Sequence, residues 1–481
     1  MKQKTGRKLL GFLLTLALVL GLMPGMGLTA RAEEAENAPT LAAGSDSSGT
    51  GWNWTASTKT LTLSGVTWNS TLVIPSDSTI ILTEGTTNTI TGSGTETNGF
   101  LVGLYAEGNL TINGSGILNV YSNANLTEVV GSKTRGIYVA GKLKINGGTI
   151  QARSGNSSSD GAFHDGTGSV GVYVKNSCEQ SGGSLTAISG TCVRMSVGFC
   201  LDSSGDPKTL KITGGTLIAT AGDATYNSYG LMVDNSGVLE IMGGTVKATG
   251  GKATSYASEG IFVNGGSGTL NLSGGECWAT SSQGDVSYAF RCQGNINISG
   301  GILHVSSGYT ATASNSQGIR ATDSEGKITI TGGMIAASSC DGGDTIYSNG
   351  TITVSHELIT ENHDTGYDTT SNSTDFTSGT TQTLKQSDYS KPLKIGKVGH
   401  MVAYDENGVT GGAAPSDDTV YANNAQVTVA GNTLNMYKTG YKFDKWNTKA
   451  DGTGADYVPG TTFNITDDTT LYAQWKIAGA T

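Results

Sequence analysis

A double glycine followed by a short apolar run recurs along most of this chain at intervals of about 30 residues. The second glycine of each pair stands at Gly148, Gly183, Gly215, Gly244, Gly275, Gly301 and Gly333. A period of this length with loops of variable size is typical of a solenoid, in which each repeat packs only on its neighbours. No other feature of the sequence constrains the fold as strongly.

Each repeat contains three runs in which apolar residues alternate with polar ones. In the repeat that begins near residue 136, the runs are residues 136–139, 143–145 and 149–152. Alternation with period two predicts strands, and the second glycine of the pair allows a positive φ at the corner between the second and third strands. We therefore predict an all-β protein whose residues 51–395 form a right-handed parallel β-helix with three short strands per coil.

The N-terminus predicts export from the cell. Residues 2–8 include the basic side chains of Lys2, Lys4, Arg7 and Lys8, residues 9–20 are almost entirely apolar, and residues 30–32 read Ala-Arg-Ala. This order is typical of a secretory signal peptide, which we assign to residues 1–32, with a linker over residues 33–50. The alternative is a membrane-anchoring helix, but Pro24 shortens the apolar segment. We expect no transmembrane segment after signal removal.

Composition argues against nucleic acid as a partner but does not decide whether the cysteines form a disulfide. The net charge is −10, with only 29 Lys and Arg residues available to neutralise phosphates. The repeat places Cys178, Cys277 and Cys292 at inward, apolar positions. One disulfide among the other three cysteines stays open, since an exported protein permits it.

Two outward columns differ in chemistry. The second-strand column includes Lys144, Glu179, Lys211 and Glu240, whose alternating charges favour a solvated structural face. The first-strand column is rich in aromatic residues and arginine, which stack on sugar rings and pair with acidic sugars. We therefore predict a carbohydrate-binding stripe at Tyr105, Tyr138, Tyr173, Phe262, Arg291, Arg320 and Tyr347. The alternative is a structural ladder, or a stripe covered by the loops near residues 152–169 and 186–197.

Part of the solenoid resembles a known family. Residues 78–90, with the E-G-x-x-N turn, and the L-T-I…G-S-G-x-L unit within residues 110–118 are similar to the clostridial carbohydrate-binding β-helix family. The resemblance covers roughly residues 51–355. It implies binding of acidic plant polysaccharide, association with calcium and a fold shared with pectate lyases. We assign no calcium ligands, because the sequence lacks a clear cluster of aspartates.

A second domain follows a Ser- and Thr-rich segment near residues 363–390. Residues 440–448 read G-Y-x-F-x-x-W-N-T, and residues 470–475 read T-L-Y-A-x-W. These boxes resemble the Listeria–Bacteroides repeat, or internalin B-repeat, a small β-grasp-like module of Gram-positive surface proteins. The resemblance covers about residues 399–476 within a domain assigned to 396–476, and residues 477–481 form a tail. It implies that Phe443, Trp446, Tyr472 and Trp475 are core aromatics.

The sequence contains no Ser/His/Asp set, HExxH motif, P-loop or Cys/His metal spacing. We therefore predict a secreted or cell-envelope, adhesin-like protein that binds extended polysaccharide without catalysis, with acidic polysaccharide as one candidate ligand. Two alternatives stay open: a pectate-lyase-like or polygalacturonase-like enzyme, and a passive surface stalk.

Overall fold

The structure is a computed structural model. It describes residues 36–42, 44–92, 99–123, 133–158, 168–202, 208–310, 315–340, 343–354, 359–361, 363–364, 375–376, 382–386, 393–396, 400–417, 419, 421 and 424–478. The predicted signal peptide at residues 1–32 lies outside this part of the chain.

The described residues form strands and no α-helix. The strands of the first coils are β1 Ser47–Gly49, β2 Trp52–Thr55, β3 Thr60–Leu63, β4 Thr67–Trp68, β5 Leu72–Ile74, β6 Ser78–Leu82 and β7 Thr87–Thr91. The strands of the middle coils are β8 Phe100–Ala106, β9 Leu110–Gly114, β10 Ile117–Tyr121, β11 Lys133–Val139, β12 Leu143–Ile145, β13 Thr149–Arg153, β14 Ser169–Val174, β15 Cys178–Gln180, β16 Ser184–Ile188, β17 Met195–Leu201, β18 Thr209–Ile212 and β19 Thr216–Thr220.

The later coils and the C-terminal module follow in the same order. The later coils contain β20 Asn227–Val233, β21 Val238–Thr249, β22 Ala257–Val263, β23 Thr269–Thr280, β24 Val286–Cys292, β25 Asn295–Ser306, β26 Ser316–Ala321, β27 Lys327–Ser338, β28 Asp344–Ser348 and β29 Thr351–Val354. After them come β30 Ile359–Glu361, β31 His363–Asp364, β32 Asp375–Phe376, β33 Gln382–Gln386, β34 Leu393–Gly396, β35 Val402–Asp405, β36 Ala425–Thr428, β37 Tyr441–Asn447, β38 Asp456–Tyr457, β39 Thr462–Ile465 and β40 Thr469–Ile477.

The coils stack as parallel strands, which confirms the predicted β-helix. One sheet, here called the first-strand sheet, pairs β5, β8, β11, β14, β17, β20, β22, β24, β26 and β28 in parallel. The second and third strands of each coil belong to the other large sheet, and in β21, β23, β25 and β27 they run together as one 12-residue strand. Within the described part of the chain, no helix is long and apolar enough to cross a bilayer.

The solenoid core consists of columns of apolar side chains that face inward from all three strands. The predicted column of Ile145, Ile212, Ile241, Leu272, Ile298 and Ile330 is confirmed, because these residues are cross-strand neighbours in successive coils. Gln180 occupies one position in this column and is buried. Its amide donates to the carbonyl oxygen of Thr216 at 2.9 Å, so the polar group is satisfied inside the core.

The double glycine makes the corner between the second and third strands. Gly215 has a φ of +73°, and a Cβ there would lie 2.4 Å from the carbonyl oxygen of Gly183 in the preceding coil. A Cβ on Gly214 would lie 2.6 Å from the carbonyl oxygen of Ser181. Only glycine meets both the conformational and the steric requirement, because successive backbones touch directly at this corner.

Antiparallel strands cover both ends of the solenoid. At the first coil, β1, β2 and β3 pair antiparallel, and Trp54 is fully buried among them. At the last coil, β32, β33 and β34 pair antiparallel with β29, β28 and β27. Strand β1 therefore belongs to this cap, although it falls in the stretch predicted as a linker. Covered ends remove free sheet edges that would otherwise pair with other chains.

Two smaller predictions concern surface charge and cysteine. Lys144, Glu179, Lys211 and Glu240 are cross-strand neighbours on the outward face of the second strand, as expected. Lys144 and Glu179 lie 3.8 Å apart and both are exposed, so their contribution to stability is small.

None of the six cysteines, all of which the structure describes, forms a disulfide. Cys178, Cys277 and Cys292 are buried, as the repeat predicts.

The C-terminal module has its own core. Strands β35, β40, β37 and β38 form one sheet, and β36 and β39 form another. Trp446 is fully buried, and Phe443 and Trp475 pack on its cluster as half-buried side chains. Tyr472 is half-buried and lies outside that cluster, so the prediction that it is a core aromatic is wrong. The reason is alternation along β40, since Leu471 and Ala473 point into the core on either side of it.

Glycine substitutions at the corners can distinguish the effect of a positive φ from the effect of a close neighbouring coil. Gly85 has a φ of +71° but no heavy atom within 4 Å of a built Cβ, whereas Gly244 combines a φ of +71° with a contact of 2.5 Å to the carbonyl oxygen of Gly215. We expect Gly85→Ala to lower the free energy of unfolding by about 1 kcal/mol. We expect Gly244→Ala to lower it by about 3 kcal/mol, as measured by urea unfolding.

Gly44→Ala is the control, because Gly44 has neither a positive φ nor a neighbour within 4 Å. It should change stability by less than about 0.5 kcal/mol. Equal losses for Gly85→Ala and Gly244→Ala would contradict the close approach of coils at the double glycine.

Candidate functional site

The residues of the predicted stripe form one straight column on the outward side of the first-strand sheet. We call this column the outer ladder. Its members are cross-strand neighbours in successive coils: Tyr105, Tyr138, Tyr173, Cys200, Met232, Phe262, Arg291, Arg320 and Tyr347. The structure therefore brings the seven predicted site residues together on one face.

The expected exposure of this column is wrong for its central members. Tyr138, Tyr173 and Phe262 are only 4%, 6% and 4% exposed. The ring of Tyr138 is stacked between Tyr105, at 4.9 Å, and Tyr173, at 5.3 Å. Both faces that a sugar ring would use are occupied by protein. Burial raises the pKa of Tyr138 to about 12, and Tyr173 donates its hydroxyl to Asp202 at 2.6 Å.

A second outward column explains this burial. It lies beside the outer ladder and consists of Val102, Arg135, Val170, Val197, Tyr229, Glu259, Tyr288, Gln317 and Asp344. The two columns are three residues apart because a small or buried residue interrupts the alternation between them. It is glycine in seven of the nine coils, and Ala289 and Thr345 in the other two. At Gly136 an added Cβ would lie 2.8 Å from the backbone nitrogen of Arg153 on the third strand. Side chains on both sides of the glycine therefore face outward and form an apolar cluster.

Arg135 is a buried cation within this cluster. Its guanidinium lies 5.2 Å from the Phe100 ring and 5.1 Å from the Tyr173 ring, and Nη1 donates to the carbonyl oxygens of Thr134 and Gly168. Burial lowers the pKa of Arg135. The aromatic faces and carbonyl oxygens replace part of the hydration that the charge has lost.

The two arginines of the outer ladder already have partners. Arg291 donates to the fully buried Glu259 at 2.7 Å and stacks on Phe262 at 4.5 Å. Burial raises the pKa of Glu259, and the Arg291 charge opposes that shift. Arg320 lies over Tyr288 at 4.4 Å and donates to Gln317 at 2.6 Å. Contact with an acidic sugar would require these side chains to leave their partners.

The half-buried ends of the outer ladder are Tyr105 and Tyr347. The hydroxyl of Tyr347 donates to Asn349 at 2.8 Å, and its ring lies 4.9 Å from the Arg320 guanidinium. The ladder as a whole is a packed arrangement of rings and cations.

The exposed aromatic residues lie at the neighbouring corner, between the third and first strands. Tyr226, Tyr256 and Tyr309 are 40%, 59% and 64% exposed. With Asp285, which is also exposed, they form a set that we call the tyrosine row. Their order along the solenoid follows from backbone pairing, which places Asp285 between the coils of Tyr256 and Tyr309.

The pairing sets the spacing of the tyrosine row. Tyr226, Tyr256 and Asp285 each stand two residues before a serine, and these serines pair in successive coils. Asp285 N donates to the Tyr256 carbonyl, and Gly284 N donates to the Tyr309 carbonyl. The row from Tyr226 to Tyr309 therefore spans three coil steps of about 4.8 Å, or about 14 Å in all.

Buried serines support the row from beneath. This serine ladder consists of Ser169, Ser196, Ser228, Ser258, Ser287 and Ser316. The hydroxyl of Ser258 donates to the carbonyl oxygen of Gly251 in its own coil and accepts from Ser282 N in the next, both at 2.8 Å. Ser228 makes the same pair of bonds with Gly222 and Gly251. These bonds hold the corner that carries the tyrosines.

The tyrosine row lies beside the buried cluster. Burial raises the pKa of Tyr229 and Tyr288, and the nearby Tyr256 phenol raises the pKa of both further. At the other end of the row, the half-buried Arg194 lies 4.9 Å over the Tyr226 ring. The contact with Arg194 limits the freedom of the Tyr226 ring before any ligand binds.

A different aromatic residue, Trp278, projects from the outward face of the third strand. Its ring stacks on His304 at 3.7 Å, and the Lys247 ammonium lies 5.7 Å from its centre. Glu276 accepts from His304 at 3.5 Å, and this hydrogen bond holds the pKa of Glu276 below its usual value. With His304 and Lys247 against the ring, Trp278 offers less surface to a sugar than the tyrosine row does.

Nothing in this region suggests a metal centre. Among the residues that the structure describes, no three His, Cys, Asp or Glu side chains lie close enough together to hold a metal ion. The calcium association implied by the family resemblance stays a prediction.

Truncation of the outer ladder should cost stability, whereas truncation of the tyrosine row should not. We expect Tyr138→Ala to lower the free energy of unfolding by about 3 kcal/mol, because it opens a cavity between two stacked rings. Tyr256→Ala is the matched control, and we expect a change below about 0.5 kcal/mol. Thermal unfolding followed by circular dichroism measures both. Equal melting temperatures for the two variants would contradict the difference in burial.

The chain resembles known proteins over its C-terminal part and over short alignments. A "Putative Gly-rich membrane protein" of Evansella cellulosilytica is 42% identical over 77 residues, which is 16% of this chain and 9% of that protein. A "Putative membrane protein" of the same organism is 43% identical over 75 residues, 15% of this chain and 11% of that protein. The chain thus spans about a tenth of the length of these relatives.

No solved structure matches the chain significantly. The resemblance of residues 51–355 to the clostridial carbohydrate-binding β-helix family stays a prediction. The model of the Listeria–Bacteroides repeat domain matches residues 400–474. The predicted C-terminal module is therefore confirmed, and residues 400–474 are a Listeria–Bacteroides repeat domain.

Proposed function

We propose that this protein is an adhesin-like protein of the cell envelope that binds extended polysaccharide without catalysis. The observation that carries the proposal is the tyrosine row, in which three exposed tyrosines stand along one corner of the solenoid, where serine hydroxyls bridge neighbouring coils. Pyranose rings present C–H faces that pack on aromatic rings. A sugar unit of an extended glycan advances by roughly one coil spacing, so successive units meet successive coils.

The proposed location rests on the C-terminal module and on the relatives. The Listeria–Bacteroides repeat is typical of Gram-positive surface proteins, and both relatives are named as membrane proteins. The signal peptide predicted at residues 1–32 supports export. A β-helix joined to such a repeat fits a surface role, in which the solenoid presents its long side to a ligand.

The absence of catalysis is also part of the proposal. Glycoside hydrolysis requires two carboxyl groups roughly 5–10 Å apart on either side of a bound sugar. The buried carboxylate nearest the tyrosine row, Glu259, is held by Arg291 at 2.7 Å. Asp285 is exposed on the row itself. This arrangement supports binding better than acid–base chemistry.

Glycan binding should depend on the tyrosine row. We expect the double variant Tyr226→Ala, Tyr256→Ala to bind its best ligand on a glycan array at least about tenfold more weakly, because two stacking contacts are lost. Its melting temperature should match that of the unaltered protein. Surface plasmon resonance with the immobilised glycan measures the affinity.

Tyr441→Ala is the matched control, since Tyr441 is also exposed, at 43%, but belongs to the C-terminal module. It should bind as the unaltered protein does. A protein that binds no glycan on the array would be a passive stalk. Release of ultraviolet-absorbing unsaturated uronides from pectin would instead establish a lyase.

A further inference from the structure

We infer that the polysaccharide held by the tyrosine row is uncharged and that the row accommodates about four sugar units. This inference rests on the proposed function, which it deepens by naming the class of glycan. In the sequence analysis, the arginines of the outer ladder led us to expect an acidic ligand, and the present inference replaces that expectation.

The arginines of the outer ladder already contact other groups of the protein. Arg291 is 18% exposed and is bound to Glu259, which is fully buried. Removing Arg291 from this pair would leave an uncompensated carboxylate inside the protein. Arg320 lies between the rings of Tyr288 and Tyr347 and donates to Gln317. The charge of Arg291 is therefore already paired with a carboxylate, and Arg320 is held against two aromatic rings.

The corner that carries the tyrosine row has balanced charge. Among the described residues of this corner in the coils of the row, the charged side chains are Arg194 beside Tyr226, Asp223 and Lys252 in adjacent coils, and Asp285 within the row. Two cations and two anions give no net attraction for a polymer with one negative charge per unit. The net charge of −10 on the whole chain adds repulsion at low ionic strength.

Asp285 gives the row a positive preference for neutral sugars. Its side chain is exposed, and its main chain is fixed by hydrogen bonds from its own N to Tyr256 and from Asn315 to its carbonyl. An ionised carboxylate accepts hydrogen bonds from two neighbouring sugar hydroxyls, and such charge-assisted bonds are strong. A uronate carboxylate at the same place would face a like charge.

The length of the row predicts the size of the ligand. Tyr226, Tyr256, Asp285 and Tyr309 occupy four successive coils, and each coil step is about 4.8 Å. An extended glycan parallel to the solenoid axis therefore places about one sugar unit over each member. Affinity should rise with chain length up to about four units and then level off, since longer chains gain no further stacking contact.

Affinity electrophoresis of the full mature chain tests the inference. The neutral probes are glucomannan, xyloglucan and carboxyl-reduced polygalacturonate, and the acidic probes are polygalacturonate and alginate. We expect neutral probes to bind, and the carboxyl-reduced polymer to bind at least about tenfold more tightly than polygalacturonate itself. Manno-oligosaccharides of two to six units, used as competitors, should reach their full effect at about four units.

Variants assign the outcome to the row. Asp285→Asn should weaken binding of the neutral probes about tenfold. The difference in affinity between the neutral and the acidic probes should become smaller. Glu240→Gln makes the same change on the second-strand face, where it should have no effect. Tyr256→Ala should weaken every interaction that uses the row.

Each result decides one of the two proposals. If only acidic probes bind, and Tyr256→Ala weakens them, the row binds glycans but the inference of an uncharged ligand is wrong. If no probe binds, the proposed function fails and the inference falls with it. If a probe binds and Tyr256→Ala leaves its binding unchanged, the protein binds glycan away from the tyrosine row and the inference is wrong. Neutral binding that continues to rise beyond six units would overturn the four-unit row.

Discussion

The solenoid depends on the short distance at which the backbone of one coil lies over the backbone of the next. At the double-glycine corner this distance excludes any Cβ, as the contact of 2.4 Å at Gly215 shows. At the corner between the third and first strands the coils are also close, and the hydroxyl of Ser258 bridges two of them through two hydrogen bonds. Because both corners keep the coils in register, equivalent side chains on the strands become straight columns.

The first-strand sheet has two outward columns, the outer ladder and the column that contains Arg135. The outer ladder and its neighbouring column are packed together, with Arg135 and Arg291 lying over aromatic rings. Cation–π contacts of this kind contribute about 0.5–2 kcal/mol each, more where the charge is desolvated. Removing one member of a buried charge pair such as Glu259 and Arg291 costs about 3–5 kcal/mol. The result is a stiff sheet beside an exposed row of tyrosines, which suits recognition of a linear ligand.

The sequence was sufficient to predict the β-helix, because period and alternation report directly on corners and strand faces. The inward column from Ile145 to Ile330 and the outward column from Lys144 to Glu240 follow from that pattern. Exposure was not predictable in this way. Alternation indicates the side of the sheet on which Tyr138 projects, but not what packs against it. The inward glycine at Gly136 then places a further outward side chain, Arg135, on the same face.

A sequence pattern marks two members of the tyrosine row, but loops of unequal length hide the third. Ser-x-Gly recurs at residues 228–230 and 258–260, and a tyrosine stands two residues before each serine. Tyr309 stands seven residues before Ser316, so no fixed spacing identifies it. The C-terminal module was predictable from its two boxes, because they contain the residues around Trp446 that build its core.

Hydroxyl-radical footprinting with mass spectrometry tests most directly whether the exposed row, and not the buried ladder, meets the ligand. In the free protein, Tyr226, Tyr256 and Tyr309 should be oxidised rapidly, while Tyr138 and Tyr173 should be protected by burial. Addition of glucomannan should protect the first three and leave the other two unchanged. Rapid oxidation of Tyr138 and Tyr173 that glucomannan suppresses would contradict this division between support and binding surface.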